Sequence, residues 1–227
     1  MKILSFDVGI INLAYCLLEI DENKKWTILK WGIIDISPTQ KKLCGAIYKG
    51  SACGNKARFK YKDKYSCLNK RCVKYYTTIN PTIKQKKLAK QKHSLDDLSM
   101  SLLKKLGEIE WGKIDKVVIE NQPVLKNPTM KSVQIVLYTY FQINRKTLEF
   151  NEIRCFCARN KLGLYDGPTI ENKYKSDYAN RKYQSVEQTK YFIKDFKDWY
   201  DFFMNENKKD DLADCFLQGL VFISKLR

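Results

Sequence analysis

The sequence predicts an α/β fold built on a mixed sheet, and three observations lead there. Three apolar runs with short links open the chain, "KILSFDVGI", "NLAYCLLEI" and "WTILKWGIIDI". Further on, short apolar runs alternate with segments of helical spacing. The hydrophobic content of 44% over 227 residues suffices for the core of one good-sized domain, or of one domain carrying an insertion. Consecutive strands followed by strand–helix alternation give an antiparallel start and flanking helices.

The first run reads as a strand and the second as its hairpin partner. "DENKK" turns the chain into the third. Residues 40–80 keep neither a helical nor a strand period, which marks an inserted module. From 84 to 106, Leu88, Leu95, Leu98, Leu102 and Leu106 recur at helical spacing. "DKVVIENQP" is a short strand stopped by Pro123. "NPTMKSVQIVLYTYFQIN" is a helix with Asn127 as cap and Pro128 at its first position. Val133, Val136, Leu137 and Tyr140 on that helix either cover the sheet or meet a second copy. "IRCFCARN" is a further strand, and residues 160–183 are polar and irregular. "SVEQTKYFIKDF" and "KKDDLADCFLQGLVFISKL" are the closing helices.

The net charge is +17, unevenly spread. Residues 41–92 hold sixteen Lys or Arg and one acid, Asp63, so the rest of the chain is nearly neutral. Such a segment suits a polyanion, most often nucleic acid; a solvated lysine-rich surface is the plainer alternative. No apolar run is long enough to cross a membrane, and the N-terminus lacks the basic stretch and cleavage site of a leader. Cys16, Cys155, Cys157 and Cys215 lie in apolar stretches and read as reduced core thiols, which predicts an intracellular protein.

The other four cysteines lie in the basic segment. Cys44 and Cys53 are spaced Cys-x8-Cys, thirteen residues follow, and Cys67 and Cys72 are spaced Cys-x4-Cys. Two such pairs can close a tetrahedral Zn²⁺ site, and a segment without an apolar core needs something to fold it. Unrelated reduced thiols are the alternative. Tyr48, Phe59, Tyr61, Tyr65, Tyr75 and Tyr76 interleave with the lysines. These rings either stack on unpaired bases or form the module's own small core. Lys56, Arg58 and Lys60 are candidate DNA contacts. His93, the one histidine, sits in the charged helical stretch and reads as surface.

Carboxylates appear where a core pattern would not put them. Asp7 lies on the first strand, Glu120 ends "VVIE", and Asp210, Asp211 and Asp214 begin the last helix. Asp214 shares a helix face with Asp211 or Asp210, and spacing does not choose between them. Singly, each acid has a structural explanation: a turn, a cap, or a favourable place near a helix N-terminus. Together they suggest a cluster that repels itself unless cations neutralise it. Hard oxygens suit Mg²⁺ or Mn²⁺, and a pair of such ions cleaves phosphodiesters.

"FDVGIINLAY", "VVIENQP" and "KKDDLADCFLQGL" resemble the three motifs of RuvC-type Holliday junction resolvases, in the branch found in poxviruses and other large DNA viruses. The resemblance implies an RNase H-like fold, a homodimer, and symmetric Mg²⁺-dependent cutting of four-way DNA junctions. It assigns the acids to Asp7, Glu120, Asp211 and Asp214, leaving Asp210 as a neighbour. It also implies basic residues near the scissile phosphate, at Lys161 and Lys182, with Arg159 and Arg181 beside them. Gly9 would leave room for DNA or the metal shell, and Asn12 would start the hairpin or bond locally. The alternatives are another RNase H-like nuclease of transposase type, an actin-like or sugar-kinase ATPase, and a non-catalytic zinc-containing DNA-binding protein. The last of these requires Asp7, Glu120 and Asp214 to be far apart in space.

Overall fold

The computed structural model describes residues 1–38, 42–79, 86–88, 93–125, 127–157 and 161–226. Three long strands come first: β1 (Lys2–Asp7), β2 (Asn12–Ile20) and β3 (Trp26–Asp35). Short elements follow: β4 (Ile47–Tyr48), β5 (Ser51–Ala52), β6 (Phe59–Tyr61), β7 (Lys64–Ser66), α1 (Lys70–Ile79) and β8 (Lys86–Lys87). Then come α2 (Leu95–Gly107), β9 (Lys116–Glu120), α3 (Pro128–Ile143), α4 (Arg145–Leu148) and β10 (Glu152–Phe156). A 3-10 turn (Lys161–Leu164), α5 (Asp177–Ile193), α6 (Lys197–Asn205) and α7 (Lys209–Ser224) close the chain. These elements form two compact units, Met1–Ser37 with Leu95–Arg227, and Pro38–Ser94.

The first unit holds a five-stranded sheet in the order β10-β9-β1-β2-β3. β1, β2 and β3 form an antiparallel meander, while β9 runs parallel to β1 and β10 parallel to β9. This is the mixed sheet that the sequence predicts. Side chains alternate across a strand, and the two faces receive different partners. Ile3, Ala14, Cys16, Leu18 and Val118 pack with Leu212, Phe216 and Leu217 of α7. Leu4, Phe6, Leu13, Leu17, Val117 and Ile119 pack with Leu98 and Leu102 of α2 and Val133 and Leu137 of α3. Val133 and Leu137 are thus wholly enclosed, and Val136 and Tyr140 pack on the same cluster. That face of α3 covers the sheet. The Asn127 side chain caps α3 by accepting from the Met130 N–H at 3.2 Å.

Gly9 serves the β1–β2 turn. A Cβ there would stand 2.1 Å from the Asn12 carbonyl oxygen, so only glycine lets the hairpin close. The backbone occupies the space that the sequence reading assigned to DNA or metal.

The second unit is small. β4 pairs with β5, and β6 lies between β7 and β8. Its core is Cys44, Ala46, Tyr61, Cys67, Cys72 and Tyr76, with Cys53, Phe59 and Tyr75 against it. The expected helix over 84–106 begins only at Leu95. Lys86–Lys87 is a strand on β6, residues 84–85 and 89–92 lie outside the described residues, and His93 precedes the helix. Conversely, α5 starts at Asp177, eight residues ahead of the expected helix, with Ser176 as its cap. Its first turns are polar, and the buried Asn180 bonds sideways to the Tyr174 backbone, which hides the helical period. Helix α6 has no counterpart in the sequence reading. It is short and dominated by aromatics that pack with Trp31. Among the described residues no helix is long and apolar enough to cross a membrane.

Candidate active site

The pleat decides where the acids point. Ile3 faces α7, so Ser5 and Asp7, two and four residues on, face it as well. Val118 faces α7, so Glu120 does too. Phe6 pairs with Ile119 across the parallel β1–β9 ladder, which brings Asp7 beside Glu120 at the carboxyl ends of adjacent strands. Asn12, two residues before Ala14, shares that face.

Helix α7 is locked onto the sheet below this point. The Gln218 side-chain amide donates to Ser5 Oγ and to the Phe6 carbonyl, both at 3.0 Å. The Trp31 indole N–H donates to the Leu212 carbonyl at 3.1 Å. Gly219 permits close approach: a Cβ there would lie 2.8 Å from Leu18 Cδ1. With the helix so fixed, its first turns deliver Asp211 and Asp214 to the end of β1.

Burial is the main reason the Asp7 carboxyl is held well above the usual carboxylate range. A hydrogen bond in which Asp7 donates to Glu120 adds to this, as do the negative charges of Glu120 and Asp214; Lys161 opposes them. Glu120 is steered by Gln122, whose side-chain amide donates to Glu120 Oε2 at 2.7 Å. Gln122 is itself fixed by its backbone N–H, which donates to Gln134 Oε1 on α3 at 2.8 Å. Asp214 Oδ2 lies 2.7 Å from Lys161 Nζ, while Asp214 Oδ1 is buried with no hydrogen-bond partner. Asp211 is raised by burial first and then by the charges of Asp210 and Asp214; the Asn12 amide approaches its Oδ2 at 3.5 Å.

Asp210 points elsewhere. It pairs with Lys182 of α5. Burial alone would raise this carboxyl, but the Lys182 hydrogen bond and charge hold it below its ordinary value. Burial likewise works to lower the Lys182 ammonium, and Asp210 together with the Tyr178 hydroxyl outweighs it. α5 thus engages Asp210 through Lys182, whereas the Asp211 carboxylate is approached by Asn12. Arg181 is exposed beside Lys182, and Arg159 lies outside the described residues.

The donor set is uniformly hard oxygen, one buried oxygen lacks a partner, and two carboxyls are pushed up, by burial first and by negative neighbours second. The chemistry of the set suits divalent cations, while among the described residues only the four cysteines of the second unit already stand close enough together to hold one. In the second unit, Cys44, Cys53, Cys67 and Cys72 place their sulfurs within 4.8 Å of one another. Cys53 Sγ is 3.5 Å from Cys72 Sγ and 3.9 Å from Cys67 Sγ. A tetrahedron with metal–sulfur bonds of about 2.3 Å has edges of about 3.8 Å, so the four thiols could hold a metal ion. Lys56, Arg58 and Lys60 are exposed on this unit.

Asn12, Gln122 and Gln218 escaped the sequence reading as site residues. Their signal was present: each is an amide at the edge of, or inside, an apolar run, as in "CFLQGL".

The sequence model of the family described as "Mitochondrial resolvase Ydc2 / RNA splicing MRS1" matches residues 3–124, more than half of the chain. The chain belongs to this family. A protein of Acanthamoeba polyphaga mimivirus, L451, is 26% identical across 98% of this chain and 74% of its own length. Among solved structures, the yeast mitochondrial Holliday junction resolvase Ydc2 is 17% identical and covers 97% of this chain and 78% of its own, with a TM-score of 0.53. The fowlpox virus resolvase, solved with Holliday junction DNA, is 18% identical over 99% of this chain and 97% of its own, with a TM-score of 0.49. The resolvase-like fold implied by the motifs is the fold of this family.

Proposed function

We propose that this family member is a divalent-metal-dependent endonuclease that resolves four-way DNA junctions as a homodimer. The observation that carries the reading is the convergence of Asp7, Glu120 and Asp214, far apart along the chain, at one end of the sheet, with Asp211 beside Asp214. The family description spans a resolvase and an RNA-splicing protein, so membership alone does not choose between them. A carboxylate cluster around a partnerless buried oxygen favours the nuclease. It also argues against the non-catalytic alternative, which required separated acids.

Asp7, Glu120, Asp211 and Asp214 would hold two Mg²⁺ or Mn²⁺ ions. When bound, such ions activate water and stabilise the departing oxygen in phosphodiester hydrolysis. Gln122 orients Glu120, and Gln218 fixes the β1 backbone under Asp7. Lys161 neutralises Asp214 and stands where its ammonium can turn to a phosphate oxygen. Lys182, positioned by Asp210, lies one helix away and serves the same charge. The RNase H-like domain would span residues 1–227 with the basic module inserted at about 40–80, and Zn²⁺ would occupy the four thiols of that module.

The test is incubation with synthetic four-way junctions and matched linear duplex, with and without Mg²⁺. Paired symmetric nicks near the crossover are expected, lost without Mg²⁺ and reduced at least ~100-fold in Asp7→Asn. Equal cutting of linear duplex would overturn junction selectivity, and full activity of Asp7→Asn would overturn the assigned site.

A further inference from the structure

The second unit carries a surface that the junction-cutting site does not use. β6 pairs with β7 and β8 in antiparallel register, and residues directly opposite share a face. Lys60 stands opposite Tyr65 on one side and Lys86 on the other. Both lysines are exposed, and neither makes an ion pair among the described residues. Like charges directly opposite on a ladder destabilise it. The segment offers no relief from within, since residues 41–92 contain one acid against sixteen bases. The opposite face is tied up differently. Tyr61, next to Lys60, is buried and stacks on Tyr76, with ring centroids 5.1 Å apart, over the four thiols.

The module's rings are mostly committed. Tyr61 and Tyr76 are enclosed, Phe59 and Tyr75 pack on the same cluster, and Lys42 sits over the Tyr65 ring at 5.0 Å. Tyr48, tilted against Tyr75 with ring centroids 5.9 Å apart, is the exposed ring among the six, so little aromatic surface remains on which an unpaired base could stack. Charge does: Lys64 and Lys87 stand opposite the packed Tyr61 and Phe59, and on the other face Lys60 and Lys86 stand directly opposite each other. Stacking is what favours single strands, whereas charge density favours the double helix, with one phosphate per about 1.7 Å of axis.

We propose that the outer face of β6–β8, centred on Lys60 and Lys86, is a sequence-independent binding surface for the phosphate backbone of duplex nucleic acid. The thiol-bound metal contributes by folding the module that displays it. The inference rests on the metal-holding reading of the four cysteines, and not on whether the chain cuts junctions.

The experiment uses the full chain in buffer without Mg²⁺ or chelator, so that binding is read apart from cleavage. Affinities for a linear duplex and for one of its single strands are measured across a salt series, for the parent, Lys60→Gln/Lys86→Gln and Lys60→Glu/Lys86→Glu. Zinc content is measured for each. The parent should prefer duplex. The neutral double variant should flatten the salt slope by about 2 and weaken duplex binding roughly tenfold at moderate salt, and the charge-reversed variant should weaken it further. Zinc content should stay at one ion per chain in all three. Unchanged duplex affinity in both variants would leave the face as plain solvated lysine and overturn the proposal. Tighter parental binding of the single strand would overturn the duplex assignment. A parent without zinc would overturn the metal's part while leaving the charge comparison to stand or fall by itself.

Discussion

Asp7 is a poor residue for folding and a good one for cation binding. Burial, the Glu120 hydrogen bond and the charges of Glu120 and Asp214 all penalise its ionised form. Without divalent ions that penalty is borne by the fold. Asparagine keeps the shape and the ability to donate to Glu120, and it removes the charge. Asp7→Asn should therefore melt higher than the parent in metal-free buffer, by about 2–4 °C for roughly 1 kcal/mol of relieved repulsion. Scanning calorimetry reads this directly, and a lower melting temperature would mean that Asp7 is a structural hydrogen-bonding residue. This position was legible in the sequence, because a carboxylate inside "ILSFDVG" conflicts with every neighbour. The choice between Asp210 and Asp211 was not. It depends on Lys182, twenty-eight residues away, and helical spacing contains no trace of that contact.

Single elements were readable in proportion to their apolar period. β1, β2, β3, α3 and α7 are apolar enough to be read directly, β1 burying both faces and α7 nearly its whole circumference, and their boundaries fell close to expectation. The expectation for helix α5 fell short at its start because polar side chains rather than aliphatics fill its buried positions at Asn180, Ser185, Gln188 and Thr189. Leu88 looked like the start of α2, yet its N–H donates to the Arg58 carbonyl in the other unit's small sheet. Edge strand β10 shows how charge secures an element with few buried side chains: Cys155 on it and Cys157 just beyond are exposed rather than core thiols, whereas Cys16 and Cys215 are buried. Glu152 lies opposite Lys116 of β9, with Lys116 Nζ 2.5 Å from Glu152 Oε2, and Arg154 pairs with it too. The Lys116 hydrogen bond is the main reason the Glu152 carboxyl sits below its ordinary value, against the effect of burial; the two positive charges add to it. A depressed carboxyl stabilises the fold fully above its unfolded value, near 4.5, and loses that contribution as pH falls through its lower folded value. Glu152→Gln should thus flatten the acid limb of the stability profile below about pH 4.5. At neutral pH it should cost no more than about 1 kcal/mol. Parallel denaturant titrations from pH 7 to pH 3 test this, and identical acid limbs for parent and variant would remove the pair from the account.

At the scale of the whole molecule there are two units with separate cores, and the proposed reading gives each its own cation. The first has aliphatic and aromatic clusters on both sheet faces, so it folds without metal and gains stability when its carboxylates are neutralised. Among the described residues the second has a core cluster of six, three of them cysteines, which is too little apolar surface to hold the segment together. Two-state unfolding should therefore fail, and calorimetry should resolve two transitions. Mg²⁺ at ten times its dissociation constant adds about 1.4 kcal/mol to the unit that binds it, which moves the larger transition up by roughly 3–6 °C. Asp7→Asn should abolish that shift and leave the smaller transition in place. Cys72→Ser should do the reverse: the small transition disappears, and the large one still answers to Mg²⁺. One transition that responds to both substitutions would mean that the thiol cluster and the acid cluster are parts of a single cooperative structure, and the division of labour between them would have to be abandoned.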